Sequence, residues 1–183
     1  MNYYAGFHRR QGDGFRKSRS RYNVNDLTAN VTAKVGDKNE WRFFLNGFTE
    51  YSETPGGLSQ AQWEQDPEQS VNPHDFFEAR RFSTTISYKR SFDETNSLTT
   101  SVYGSYLKRD WWLDNRNATA SKRKFIAALR DIPTVGLFSD YERTNTLFDK
   151  ENKLLAGIRL HTDVTHEVSV AGDEMGKKAG KTT

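Results

Sequence analysis

The sequence predicts an all-β fold, an antiparallel meander of about seven strands that forms part of a transmembrane β-barrel. Three observations lead to this prediction. Apolar and polar residues alternate with a period of two in several segments, the connections between these segments are alternately short and long, and aromatic residues gather near the segment ends. Such alternation is expected of a strand with lipid on one side and water on the other.

Composition excludes several other classes of protein. The 183 residues contain no cysteine, which excludes disulfide scaffolds and cysteine nucleophiles. The longest apolar run, at residues 125–129, is far shorter than the ~18 residues that a membrane helix requires. Lys and Arg number 27 and Asp and Glu number 24, and this near balance predicts no nucleic-acid partner.

Five strands and two tight turns are predicted in the first part of the chain. The strands are residues 2–9, 25–35, 40–51, 82–92 and the stretch from Leu98 to Tyr106. The turns are residues 36–39 and 93–96, which are polar and rich in turn-forming residues. One face of these strands carries the apolar residues Leu27, Val31, Trp41, Phe43, Leu45, Ile86 and Val102.

The last third of the chain allows two hairpins. The preferred one joins strands at residues 154–161 and 165–171 through a turn at residues 162–164. The alternative places the turn at residues 149–152, after a strand at residues 135–148.

The connections are predicted to alternate in length. The long ones are residues 10–21, 52–79 and 110–152, and each is followed by a strand and then a short turn. Transmembrane barrels have this pattern, with short periplasmic turns and long extracellular loops. The residues Phe125, Ile126 and Leu129 recur at helical spacing, which predicts a short helix over residues 118–130.

Aromatic residues near the predicted strand ends fit the aromatic girdles of a membrane barrel. They are Tyr3, Tyr4, Trp41, Tyr51, Tyr88, Phe92, Tyr106, Trp111 and Trp112. The alternative is a soluble β-sandwich or small open barrel, because alternation by itself also fits an ordinary core.

Several motifs, taken in order, resemble the barrel of TonB-dependent outer-membrane receptors, particularly the ferric dicitrate receptor-like group. They run from Gln11 to Arg16, over residues 22–34, from Thr54 to Ser59 with Ala61 and Gln62, from Asn72 to Phe77 leading to Arg80 and Arg81, and from Val164 to Val170. The resemblance implies an outer-membrane receptor that imports a ferric siderophore or a ferric citrate-like chelate. It also implies a plug, a TonB box and a barrel of 22 strands in the complete protein.

The chain is expected to be an internal fragment of such a receptor. Residues 1–171 are assigned to a partial barrel, and residues 172–183 to a polar loop or disordered tail. No plug-like segment or TonB box is recognised, the C-terminal residue Thr183 is not aromatic, and Met1 is taken as an internal or truncation start. The isolated chain is therefore not expected to transport.

No enzyme, cofactor or metal site is predicted. The four histidines are dispersed, and no nucleophile elbow or phosphate-binding loop frames the Ser, Asp or Gly residues. His161 and His166 flank the preferred third turn and could approach each other, but two histidines without a third ligand predict a metal site only weakly.

Basic and aromatic residues near the loops are the candidate ligand-binding residues. They are Arg80, Arg81, Arg16, Arg109, Trp111 and Trp112. Guanidinium groups suit an anionic chelate because they offer planar paired donors to carboxylates. Adjacent strand residues point to opposite faces, so parity places Arg81 inside the barrel and Arg80 at the outer rim.

Three alternatives stay open at this point. Loop cations also suit lipopolysaccharide phosphates, or simply keep a loop solvated. A receptor of the same fold for a carbohydrate or another metal complex has the same sequence pattern.

The expected partners are the ferric chelate, the TonB complex through the plug, and outer-membrane lipid with lipopolysaccharide.

Overall fold

The computed structural model of the chain describes residues 1–72, 74–114 and 125–172. Within them, eight strands and one short helix are formed: β1 (Asn2–Gly12), β2 (Tyr22–Val35), β3 (Asn39–Glu53), α1 (Gln60–Gln65), β4 (Phe76–Ser91), β5 (Asn96–Asp114), β6 (Phe125–Leu147), β7 (Lys150–Asp163) and β8 (His166–Gly172). The first seven strands pair in sequence order, each antiparallel to the next. This confirms the predicted all-β antiparallel meander.

The connections alternate in length as predicted for the first two hairpins. Short turns join β2 to β3 and β4 to β5, whereas long connections join β1 to β2 and β3 to β4. The second long connection contains α1, whose start is stabilised by a capping box between Ser59 and Gln62. Because each hairpin reverses the chain, the short turns lie at one end of the strands and the long connections lie at the other end.

The preferred third hairpin was wrong, and the alternative is close to what the structure shows. Strands β6 and β7 are joined by Phe148 and Asp149, whose φ angles of 52° and 58° are the left-handed values of a tight hairpin turn. Strand β8 pairs with the first part of β6 and not with β7. Residues 162–164 therefore do not reverse the chain, and β8 continues in the direction of β7.

A proline explains why β7 and β8 are separate strands. Val164 lies opposite Pro133 of β6 and donates its N–H to the Pro133 carbonyl at 3.2 Å. Pro133 has no N–H to return the second bond of this pair. The ladder is interrupted there and resumes at the pairing of Asp131 with His166.

The predicted helix over residues 118–130 was wrong where it can be compared. Residues 125–130 belong to β6 and pair with β5 from Asp114 to Arg109, so strand pairing overrides the helical spacing. Residues 118–124 lie outside the described part of the chain, as do residues 173–183 of the predicted tail. The strands also extend further toward the long connections than predicted, since β4 begins at Phe76 and β5 ends at Asp114.

The sheet has one apolar and one polar face, because residues directly opposite one another in the ladders share a face. The apolar face carries Phe7, Leu27, Val31, Trp41, Phe43, Leu45, Phe82, Ile86, Val102, Leu137, Ile158 and Leu160. The polar face carries Asp26, Thr28, Asn30, Asn46, Arg81, Ser83, Ser101, Ser105, Thr134 and Asp140. The predicted alternation is therefore present across the whole sheet.

The apolar face has little protein packed against it in the described part of the chain. Its large side chains are open: Ile86 is 44% exposed, Val102 50% and Leu160 63%. The described strands form one sheet with no second sheet on either face, unlike a β-sandwich. Trp112 is buried with Ala127 and Val170 at the loop end, where Phe76 and Leu129 pack against them.

The height of the apolar face fits the hydrocarbon layer of an outer membrane. On β4 the cations Arg80 and Arg90 lie on this face, ten residues apart, on either side of the stretch from Phe82 to Tyr88. Ten residues rise ~34 Å along a strand, which becomes ~26 Å at a barrel tilt of ~40°. Outer-membrane barrels have an apolar band of ~25 Å.

None of the helical segments in the described residues has both the length and the hydropathy of a membrane-crossing helix.

Candidate functional site

The best-formed cluster on the polar face surrounds Arg81, near the loop end of β4. Its guanidinium donates to Asn46 Oδ1 at 3.1 Å and lies over the Phe48 ring at 5.5 Å. Asn46 is buried, and its amide donates to Asp26 Oδ1 at 3.0 Å and to the Leu27 carbonyl at 3.1 Å. These contacts hold Arg81 in place, and most of its five N–H donors remain available for a ligand.

A second guanidinium lies diagonally from the first on the neighbouring strand. Arg109 is opposite Ala79, two residues along from Arg81, and its guanidinium lies over the Phe77 ring at 5.8 Å. Trp111 is opposite Phe77 and is 40% exposed on the same face. Two arginines and three aromatic rings, those of Phe48, Phe77 and Trp111, are therefore brought to one end of the polar face.

The charge of this cluster is only partly balanced. Arg130 lies opposite Arg109, and its Nε donates to Glu167 at 2.6 Å, so this third arginine is paired. Arg109 has no ion pair within residues 1–72, 74–114 and 125–172. Arg81 is bonded to a neutral amide, although Asp26 lies behind that amide. We call Arg81, Arg109, Phe48, Phe77 and Trp111 the arginine–aromatic cluster.

Arg80 and Trp112 lie on the other face of the sheet. Arg80 is opposite Thr49 and Lys108, whereas Arg81 is opposite Phe48 and Leu107. Trp112 is 6% exposed in the apolar cluster and stacks on Phe76 with ring centroids 6.2 Å apart. These two predicted site residues are therefore not brought together with Arg81.

Arg16 joins two long connections. Its guanidinium donates to the carbonyl oxygens of Pro67 and Gln69 at 2.9 and 2.8 Å. Beside it, the Lys17 ammonium contacts the Asp66 carboxylate at 2.8 Å, and this hydrogen bond lowers the pKa of Asp66. The first and second long connections are thus held against each other above the sheet.

The histidines do not assemble a metal site in the described residues. His161 lies on the polar face and shares a hydrogen bond of 2.8 Å with the Tyr103 hydroxyl, whereas His166 lies on the apolar face opposite Asp131. The suggestion that the two approach each other was wrong, because β7 and β8 do not form a hairpin. No group of three potential ligands is found among the described His, Asp and Glu residues.

The sequence contained a signal for residues that were not selected as site residues. Phe44 and Phe48 interrupt the polar side of β3, and the structure makes Phe48 the ring beneath Arg81. An aromatic residue on an otherwise polar face is therefore a usable marker. The role of Asn46 depends on its cross-strand neighbours, which a single sequence does not show.

The comparisons bear on the fold. No protein-family model matches the chain, and no curated protein matches it. Among solved structures, the crystal structure of the ferric citrate transporter FecA in its unliganded form superposes with a TM-score of 0.81 at 19% identity. The likeness covers 99% of this chain and 27% of that chain. The fold is that of a FecA β-barrel segment.

This likeness agrees with the predicted barrel architecture and concerns the fold alone, given the low identity. FecA is a transporter, which is compatible with the prediction that the chain is not an enzyme. The chain spans about a quarter of the length of FecA.

Proposed function

We propose that the chain forms part of an outer-membrane, TonB-dependent transporter barrel, with its apolar face in lipid and its polar face toward the interior. Three features support this orientation. The described strands form one sheet, and its exposed apolar face has the height of a bilayer core. Short turns lie at one end of the strands, and long connections lie at the other end. In the complete barrel, a plug that engages the TonB complex would lie against the polar face.

We further propose that the arginine–aromatic cluster binds an anionic ferric chelate. The observation that carries this proposal is the pair of guanidinium groups, Arg81 and Arg109, in cation–π contact with Phe48 and Phe77 at the loop end of the polar face. Guanidinium groups bind carboxylates through paired donors, and preorganised side chains lose less entropy on binding. The exposed Trp111 offers a surface for the apolar part of a chelator.

The remaining predicted site residues take other roles in this proposal. Arg16 supports the ligand entrance by holding the first two loops together. Arg80 and Trp112 belong to the outward face and do not contact a ligand in the interior.

The test uses a FecA chimera in which this chain replaces the segment it matches. Arg81→Ala should raise the Kd for ferric citrate by about 10- to 150-fold, because one charge-assisted hydrogen bond is worth about 1.5–3 kcal/mol. The Kd of the Arg81→Lys variant should fall between those of the parent and Arg81→Ala, since an ammonium keeps the charge but cannot form the paired contact. The matched control is Arg80→Ala, its sequence neighbour on the opposite face, which should stay within about twofold of the parent.

The chain has four tryptophans, so the part of the fluorescence quenching by the iron complex that Trp111→Phe removes gives a local readout of the same binding. Equal affinity of the Arg81→Ala, Arg80→Ala and parent chimeras would contradict the assignment. Tight binding of a neutral sugar that Arg81→Ala leaves unchanged would instead favour a carbohydrate receptor.

A further inference from the structure

A cavity of about 650 Å³ lies on the polar face, away from the arginine–aromatic cluster. It lies at the level of Phe138 on β6, which is opposite Ser101 on β5 and Arg159 on β7. On β4 the same level is that of Ser87, six residues from Arg81 toward the short turns. The volume lies in the range of small-molecule sites. The polar face therefore carries a second candidate site, separate from the first.

Two glycines shape this cavity. Tyr103 on β5 is opposite Gly136 on β6, and its ring lies where a Cβ of that residue would be. Asp140 on β6 is opposite Gly157 on β7, and its carboxylate covers that glycine in the same way. Both side chains therefore lean across the neighbouring strand, and a larger residue at either glycine would displace a side chain that lines the cavity.

Arg159 is held at the cavity by Tyr103. Its Nε and Nη2 donate to the Tyr103 hydroxyl at 3.2 and 3.0 Å, and its guanidinium lies 5.6 Å from the centroid of the same ring. The Tyr103 hydroxyl also shares its hydrogen bond with His161, and the Tyr103 ring lies 6.2 Å from the ring of Phe138. A guanidinium has five N–H donors, so the others are available to a ligand.

The cavity has one charge of each sign, and the two do not pair with each other. Arg159 is opposite Phe138 and Asp140 is opposite Gly157, so the two charged residues are diagonal neighbours. Such neighbours lie ~7–8 Å apart. Among the described residues neither side chain has an ion pair, and the Asp140 carboxylate has no hydrogen bond. A ligand that satisfies both needs an anionic and a cationic group close together.

We propose that this cavity binds the zwitterionic group of an α-amino acid. The carboxylate lies against the Arg159 guanidinium, the ammonium lies against the Asp140 carboxylate, and an apolar side chain lies against Phe138 and Leu155. An ammonium and a carboxylate on one carbon, with a hydrogen bond of ~2.8 Å on either side, span about the gap between diagonal side chains. Asp140 repels an anionic chelate, so this site goes beyond the proposed chelate site.

The experiment uses the full chain in micelles of a non-ionic detergent, because a zwitterionic detergent would compete. Isothermal titration calorimetry measures the Kd of L-phenylalanine, of N-acetyl-L-phenylalanine, which lacks the ammonium, and of L-phenylalaninamide, which lacks the carboxylate. The parent should bind phenylalanine about tenfold more tightly than either derivative, because each derivative loses one charge-assisted hydrogen bond.

Two variants test the two charges separately. Arg159→Gln should weaken phenylalanine binding about tenfold and leave phenylalaninamide within about twofold of the parent, because that probe has no carboxylate to lose. Asp140→Asn should weaken phenylalanine binding by about the same factor and leave N-acetyl-phenylalanine within about twofold. Arg159→Lys keeps the charge and should retain part of the affinity.

Matched controls lie on the same face outside the cavity. Glu142→Gln removes a carboxylate two residues from Asp140 that pairs with Lys153 at 2.9 Å. Arg42→Gln removes a guanidinium that pairs with Glu40 at 2.7 Å. Both variants should bind all three probes within about twofold of the parent.

Three results would overturn the proposal. The first is a parent that binds the three probes equally or does not bind phenylalanine. The second is a loss of binding that affects all three probes equally or that the controls share, since this would be a general change in the sheet. The third is unchanged phenylalanine binding in Arg159→Gln and Asp140→Asn. Ferric citrate binding by the Arg81 variants of the chimera fails or holds independently of all three.

Discussion

A charge placed at mid-height on the apolar face should destabilise the barrel far more than the same charge on the adjacent residue. Ile86 lies on the apolar face, four residues from Arg90 and six from Arg80, and Thr85 lies on the polar face at the same height. Four residues correspond to ~10 Å of height at a tilt of ~40°, so Ile86 lies deep in the proposed hydrocarbon layer.

The magnitude follows from that depth. An arginine at the bilayer midplane of an outer-membrane barrel costs ~2–4 kcal/mol, and the cost falls toward the interfaces. Ile86→Arg should therefore reduce the free energy of unfolding by about 2–4 kcal/mol. Thr85→Arg places the same group in the wet interior, where it should change stability by less than ~0.5 kcal/mol.

The assay is guanidinium unfolding of the FecA chimera from phosphatidylcholine vesicles, followed by tryptophan fluorescence. Both variants place an arginine where a β-branched residue stood, at adjacent positions of one strand, so strand propensity does not explain a difference between them. Equal destabilisation by both, or a larger effect of Thr85→Arg, would refute the assignment of the apolar face to lipid.

Two further predictions concern the turns and the interrupted ladder. The Asp93 carboxylate accepts hydrogen bonds from the side chains and backbone of Thr95 and Asn96, which lower its pKa to about 2. Its contribution should be complete above about pH 4 and be lost as the pH falls toward 2, so the melting difference between parent and Asp93→Ala should vanish there. A difference that persists unchanged at pH 2 would contradict this. Pro133→Ala restores an N–H opposite Val164 and should slow amide exchange at the junction of β7 and β8; unchanged exchange would contradict the role of the proline.

Local patterns predicted much of the fold because apolar and polar residues alternate with a period of two along each strand. Residues 25–35 and 40–51 pair as predicted, and the faces of Leu27 and Ile86 follow from alternation alone. The preferred third hairpin was wrong, and its alternative nearly right, because the decisive feature, Pro133 opposite Val164, joins residues far apart in the sequence. A turn at Phe148 and Asp149 also lacks the glycine that usually marks a tight hairpin.

The sequence predicted the kind of residue in the candidate site, arginines and aromatic residues near the loops, but not which of them come together. Parity separated Arg81 from Arg80 correctly, because adjacent strand residues must point to opposite faces. The same rule separates Trp111, on the polar face, from Trp112, on the apolar face. The engagement of Arg16 with the second long connection depends on how two loops meet, which alternation does not determine.

The most direct test of the account is the environment of consecutive residues along β4. The chain has no cysteine, so single cysteine substitutions at positions 82 to 89 each provide one site for a nitroxide label. The labelled variants are measured in lipid bilayers, in a FecA chimera that is otherwise free of cysteine. Accessibility to oxygen, which partitions into lipid, should be high at Phe82, Thr84, Ile86 and Tyr88, and accessibility to a water-soluble nickel complex should be high at Ser83, Thr85, Ser87 and Lys89. Accessibility without a period of two, or oxygen maxima on the odd residues, would contradict it.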